Sequence, residues 1–273
     1  MYSSGRGATM VAAVAAPRIC CGRRHSQFVK SSVVVTTVKF RCPSPTERMR
    51  SSLTAIGNVT KEQFLKKLAE KNAVPWHPRL AAAESDMSVL VPLLEVNSKP
   101  SVLFTKRSIH LKSHRGEVCF PGGRMEKEET VEEAALRETH EEIGVEPKSV
   151  EVWGRLKPVL TRTLTNTVVP IVGCLDKEVL KPDLVNKKEV QTLFSVPLDE
   201  LCQTARYTHF CTKSANYILP VFFSREFTVH SHNQEEFLPA EFRIWGLSAI
   251  MLHQLLHIMA AEKYKNTLKL PFY

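Results

Sequence analysis

Apolar positions change rhythm several times along this 273-residue chain. From Thr60 the spacing is helical: Phe64, Leu65 and Leu68 make one stripe, and Thr60 followed by Gln63 is a capping-box pattern. Pro75 and Pro78 should end that helix, because proline has no N–H to donate and disfavours helix just before it. Met87–Val96 and Val102–Thr105 are apolar, β-branched runs joined by turn residues at Asn97–Pro100, which predicts a hairpin. Arg107–Gly123 is rich in Gly, His, Lys and Arg and reads mostly as loop. A second capping box, Thr130 with Glu133, opens a helix that Gly144 closes. Val150–Val159, Val168–Leu175, Tyr207–Phe210 and Tyr217–Phe223 read as strands, with a short helix at Leu198–Gln203. Ser224–Phe242 is polar and reads as a surface insertion. The chain closes with an apolar helix, Gly246–Ala261, which His253, Gln254 and His257 interrupt. No apolar run therefore reaches the ~18 residues of a membrane span. This order of elements implies an α/β fold, a mixed sheet with helices on both faces.

Composition adds a class and a compartment. With 43% hydrophobic and 24% charged residues the chain has an ordinary globular balance, not a disordered or collagen-like one. The net charge of +9 is unevenly placed: residues 1–60 hold nine Lys/Arg against one acid, Glu47, so the rest is nearly neutral. A nucleic-acid binder would keep its basic patch on the folded domain, so no nucleic-acid partner is expected. Residues 1–46 contain Arg6, Arg18, Arg23, Arg24, Lys30, Lys39 and Arg41 and no acid, the composition of a mitochondrial transit peptide. We therefore expect a leader and linker over residues 1–59, a helical lead-in over 60–84, the working domain over 85–265 and a tail over 266–273. The site of action would be the mitochondrial matrix. Seven cysteines without a CxxC pair suit free thiols. Monomer and homodimer are both open.

The chemistry is concentrated in Gly123–Val145. On a helix Glu138 lies three residues from Glu141 and four from Glu142, so the three carboxylates share a face. Clustered hard oxygen ligands repel one another unless a cation neutralises them, and they suit Mg²⁺ or Mn²⁺. Arg137, eight residues after Glu129, can fold back on it as a structural ion pair, and Gly122 and Gly123 allow a tight turn. The full spacing, Gly123-x5-Glu129-x7-Arg137-Glu138-x2-Glu141-Glu142-x-Gly144-Val145, resembles the box of the Nudix hydrolases at every charged and glycine position. Thr139 stands where that family usually has an aliphatic residue. The resemblance implies a Nudix fold, an α/β/α sandwich around the mixed sheet. It also implies hydrolysis of a nucleoside diphosphate linked to another moiety, with Glu138, Glu141 and Glu142 as metal ligands. Glu189 is a candidate further base or ligand from outside the box.

Just upstream, Leu103–Gly123 resembles the signature of the coenzyme A-cleaving branch of that family. Thr105, Arg107, Ser108, Gly116, Phe120, Pro121, Gly122 and Gly123 match, while Phe104 and Lys112 depart from it. The Tyr207–Phe210 and Arg243–Leu247 stretches are similar to mitochondrial members of that branch. The implied substrate is a small molecule, coenzyme A or acyl-coenzyme A. Arg107, Lys112, Arg115, Gly122 and Gly123 would bind it, with Arg107 reading the 3′-phosphate. Lys106, Arg107, His110, Lys112, His114 and Arg115 supply a concentration of positive charge suited to phosphates. The rival readings are hydrolysis of ADP-ribose or a dinucleotide, and a non-catalytic sensor of coenzyme A or nucleotides.

Other features read as structure. His253 and His257 have metal-ligand spacing but Gln254 replaces the base a zinc hydrolase needs there, so helix packing is expected. His230 and His232 fall in the polar insertion and are expected in solvated loop. Cys119 is expected near the site as an inert thiol, and Trp245 as a core or interface anchor.

Overall fold

The computed structural model describes residues 55–73, 84–161, 166–211, 216–235, 237–266, 268 and 270. The leader, Pro75 and Pro78, and most of the tail lie outside them. The first described elements are a two-strand ladder, β1 (Ala55–Ile56) with β2 (Val59–Thr60), and helix α1 (Lys61–Asn72). Thr60 caps α1 with both halves of the expected capping box.

Strand β3 (Glu84–Val96) turns at Asn97–Ser98 into β4 (Lys99–Arg107). Both turn residues have positive φ, 51° and 59°, as a two-residue turn matched to strand twist requires. Two short strands follow: β5 (Val118–Cys119) on β4 and β6 (Gly122–Arg124) on β3. Helix α2 (Val131–Ile143) carries the capping box Thr130/Glu133 and ends on Gly144 at φ 70°, a left-handed cap that glycine adopts without strain. Then come β7 (Val150–Arg155), β8 (Val159–Leu160), β9 (Asn166–Leu175), β10 (Val190–Pro197) and α3 (Leu198–Thr204). The chain continues through β11 (Ala205–Cys211), β12 (Asn216–Ser224), β13 (Thr228–His232), β14 (Phe242–Ile244) and α4 (Gly246–Met259).

The main sheet runs β13-β10-β4-β3-β9-β7, with β5, β6 and β8 attached to β4, β3 and β9. Among the described residues only β3 and β9 pair in parallel, so the sheet is mixed. Its two faces alternate along β3: Val91 and Leu93 join one core, Leu90 and Leu94 the other. The first core takes Phe64 and Leu68 of α1 and the apolar face of α4. The second takes Ala135 and Ile143 of α2. That is the expected α/β/α sandwich. Phe64 packs 5.5 Å from Trp153, so α1 shares the sandwich core.

Several readings are corrected. Residues 190–197 were assigned no element, yet they form β10, a strand inside the sheet. Gln191, Thr192 and Ser195 interrupt its apolar run, but each is buried and bonded. Ser224–Phe242 is not simply a surface insertion, because β13 pairs with β10 and β14 with β12. His230 and His232 accordingly are half-buried on a strand and not in solvated loop: His230 Nε2 lies 2.8 Å from Ser195 Oγ, and His232 Nδ1 lies 2.9 Å from Thr192 Oγ1. Burial lowers the His230 pKa to about 4, and Lys177 adds to the effect. The expected strand at Val150–Val159 is two strands, parted at Leu156–Pro158. The expected loop at Arg107–Gly123 contains β5 at its far end.

Candidate active site

Helix α2 and the strand pair β3–β6 bring the box residues together. Arg137 is the organiser. Its Nε donates to Glu129 Oε1 at 2.9 Å, its Nη2 to Glu129 Oε2 at 3.1 Å and to the Arg124 carbonyl at 2.9 Å, and its Nη1 to Glu138 Oε1 at 3.2 Å. Nη1 also reaches Glu141 at 3.3 Å. Glu129 in turn accepts from the Glu126 N–H, so Arg137 ties the loop before α2 to the helix face. These ion pairs push the Glu129 pKa down.

The carboxylates differ sharply in environment. Glu141 is exposed. Glu138 is half-buried and its pKa is raised, mainly by desolvation and against the pull of Arg137. Glu142 is buried, and desolvation raises its pKa to about 8. Arg107 and the Gly122 N–H oppose that rise, while Glu189 and Glu138 reinforce it. Glu189, chosen from sequence alone, thus does converge on the same field. It stands on the loop before β10, accepts from Asn186 Nδ2 at 3.2 Å, and its own carbonyl accepts from the Ser108 N–H at 2.8 Å. Asn186, which the sequence did not single out, joins the loop to the helix by donating its N–H to the Glu142 carbonyl at 2.9 Å.

The two glycines of β6 leave room for this arrangement. A methyl on Gly123 would sit 2.4 Å from the Glu138 carboxyl. One on Gly122 would sit 2.4 Å from the Ser88 carbonyl, and Gly122 holds φ at +151°.

The signature residues separate. Arg107, at the end of β4, puts Nη1 3.6 Å from Glu142 Oε1. Its N–H donates to the Glu117 carbonyl, and its carbonyl accepts from the Gly116 N–H, so it closes the base of the loop. Lys112 and Arg115 are exposed on that loop, and Arg115 Nε donates to the Leu111 carbonyl. Cys119 lies against Thr105 Oγ1 at 3.2 Å, with its pKa pushed up to about 11 by burial and by Glu142, as suits an inert thiol. His253 packs in α4 with its Nδ1 2.7 Å from the Tyr264 hydroxyl. Trp245 is not the core anchor expected of it: it is 39% exposed, with the Arg243 guanidinium 5.3 Å from its ring centre.

Do these residues suit a hard divalent cation? Two observations favour it. Glu142 Oε2 is buried without a hydrogen-bond partner, and the pKa values of Glu138 and Glu142 are both raised, first by desolvation and then by neighbouring carboxylates. Among the described residues no three His, Cys, Asp or Glu side chains are gathered around one point. Instead Arg137 and Arg107 hold the glutamates individually.

A family model for the NUDIX domain matches residues 85–218. The chain is 52% identical to Nudix hydrolase 3 of Caenorhabditis elegans over 80% of its own length and 92% of that protein. It therefore belongs to the Nudix hydrolases and is an enzyme of that family. It is also 38% identical to the mitochondrial coenzyme A diphosphatase NUDT8 of Mus musculus, over 77% of this chain and 93% of that protein. An uncharacterized Nudix hydrolase, NudL of Pectobacterium atrosepticum, is 35% identical over 66% of this chain and 83% of that protein.

Proposed function

We propose that this hydrolase cleaves the diphosphate of coenzyme A, and of acyl-coenzyme A, to 3′,5′-ADP and 4′-phosphopantetheine with Mg²⁺ or Mn²⁺ in the mitochondrial matrix. One observation carries the reading: the signature segment from Thr105 to Gly123 begins and ends against the box carboxylates, with Arg107 beside Glu142 and Gly123 beside Glu138. The likeness to a mitochondrial coenzyme A diphosphatase and the acid-free residues 1–46 support substrate and compartment.

In this reading Glu138, Glu141 and Glu142 would hold the metal, which would supply positive charge to the diphosphate and acidify the attacking water. The chain's own residues do the rest. Arg137 fixes the carboxylate face, so ligands are in position before substrate arrives. Gly122 and Gly123 let β6 lie close against β3 and the Glu138 carboxyl, which keeps that carboxyl on the site. Glu189 accepts the proton of the attacking water. The new P–O bond forms at one phosphorus as the P–O–P bridge breaks, and the bridging oxygen leaves on the other product. Lys112 and Arg115, exposed on the loop, are left for the 3′-phosphate.

The test is the product pattern when the full chain meets coenzyme A, 3′-dephospho-coenzyme A and ADP-ribose with Mg²⁺. Release of 3′,5′-ADP from coenzyme A at the highest kcat/KM is expected. Faster cleavage of ADP-ribose would discard the coenzyme A reading, and no cleavage of any would favour a sensor. Glu142→Gln should abolish both turnover and any Mg²⁺-induced rise in melting temperature.

A further inference from the structure

Arg107 is expected from the sequence to read the 3′-phosphate, but its surroundings are wrong for that task. Its Nη1 is 3.6 Å from Glu142 Oε1, the most buried carboxylate of the site. Around this pair two polar atoms are left over. Arg107 Nε is a buried donor without a hydrogen-bond partner, and Glu142 Oε2 is a buried acceptor without one. Leaving either unmet is costly, so a fold retains such atoms together where a ligand meets them. A leftover donor on a guanidinium calls for an anionic oxygen, and a leftover oxygen on a carboxylate calls for a cation. A diphosphate with its divalent metal offers both, side by side. A 3′-phosphate offers only the anion, and it lies across the ribose from the bond that is cut.

We infer that Arg107 contacts the scissile diphosphate and shares Glu142 with the metal, so that it is a catalytic residue and not a reader of the 3′-phosphate. The backbone supports this placement. Arg107 is pinned on both sides, by Glu117 and Gly116 across the loop and by the neighbouring bond from the Ser108 N–H to the Glu189 carbonyl. Its position is therefore fixed by the end of β4 and by the bond that ties Ser108 to the Glu189 loop, and does not follow the exposed loop bearing Lys112 and Arg115. The planar fork of arginine suits two oxygens of one phosphate better than a lysine ammonium would. The substrate half of the inference rests on the diphosphatase reading; the metal half does not.

The experiment uses the full chain with Arg107→Ala and Arg107→Lys, and two readouts. In turnover, kcat should fall about 100-fold for Arg107→Ala, the usual loss when one charge-stabilising group is removed. The fall should be equal on coenzyme A and 3′-dephospho-coenzyme A, with KM little changed and part of the rate returned by Arg107→Lys. Without substrate, Mn²⁺ titration followed by electron paramagnetic resonance should show binding tightened about tenfold in Arg107→Ala, because a cation competing for Glu142 is gone. A loss confined to coenzyme A and expressed in KM would overturn the inference and return Arg107 to the 3′-phosphate. Unchanged or weaker Mn²⁺ binding would overturn the shared use of Glu142. Should wild type cleave neither coenzyme A compound, the substrate half fails with the substrate reading, and the Mn²⁺ titration still decides whether Arg107 shares Glu142. If Arg107→Ala does not fold, Arg107→Gln carries both measurements.

Discussion

At the scale of single residues, adjacent positions in the same short strand have different jobs. Gly122 and Gly123 would both collide with an added methyl at 2.4 Å, yet the partners differ. Gly122 meets the backbone of β3 and holds a positive φ, so neither side can yield. Gly123 meets the carboxyl end of Glu138, which can swing away. Gly122→Ala should therefore cost roughly 1–3 kcal/mol or more in folding free energy. Gly123→Ala should leave the thermal midpoint near wild type and remove most activity, since Glu138 is the group displaced. Calorimetry beside a turnover assay separates the two; equal losses of stability would refute the distinction. The gathering of Arg137 with Glu129, Glu138 and Glu141, and the tight turn at both glycines, was legible in sequence because it depends on spacing within one turn and helix. The partnership of Arg107 with Glu142 was not, because it joins two elements 35 positions apart, and no local periodicity records which strand end faces which helix face.

At the scale of elements, α2 shows which departures from a family pattern matter. Thr139 is fully buried where an aliphatic residue is usual, and its Oγ1 donates to the Ala135 carbonyl at 2.6 Å. That carbonyl is one the helix ladder already uses, so the hydroxyl is satisfied locally and contributes little net stability. Thr139→Val keeps the volume and removes the polar group. It should change stability by less than about 1 kcal/mol, in the stabilising direction if at all, with activity intact. A denaturant midpoint lowered well beyond that would mean the hydroxyl does more than satisfy itself. Helix α2 was readable in full, from Thr130 to Gly144, since both its caps are written in local chemistry. Strand β10 was not readable. Its Gln191, Thr192 and Ser195 look like surface residues until β13 brings the Asn233 carbonyl, His232 and His230 to meet them. A polar residue on a buried strand is legible only together with its partner, and here each partner lies 35 or more positions away.

At the scale of the whole molecule, the sandwich depends on α4, whose apolar face fills one of the two cores and whose histidine is neutral for that reason. His253 is only 4% exposed, and its ring packs on His257 and Tyr264. Burial lowers its pKa to about 4, and the His257 and Lys71 charges add to the effect against a hydrogen bond involving Leu268. The folded pKa is thus depressed below the 6.5 of a free imidazole. Between those values the unfolded chain takes up a proton that the folded chain refuses. The contribution is therefore present above about pH 6.5 and is lost as pH falls toward 4, by on the order of 3 kcal/mol at about 1.4 kcal/mol per unit. The prediction concerns the difference between wild type and His253→Phe, which cancels the titrating groups that do not touch His253. The variant, lacking a bond to the Tyr264 hydroxyl, should be the less stable protein at pH 7.5. Its disadvantage should shrink steadily as pH is lowered from 6.5 to 4, and it should unfold with a shallower acid dependence. Chemical denaturation of both proteins at four or five pH values measures this directly. A gap independent of pH would mean that His253 is as easily protonated folded as unfolded. The packing of α4 against the Tyr264 segment would then be looser than its 2.7 Å contact indicates.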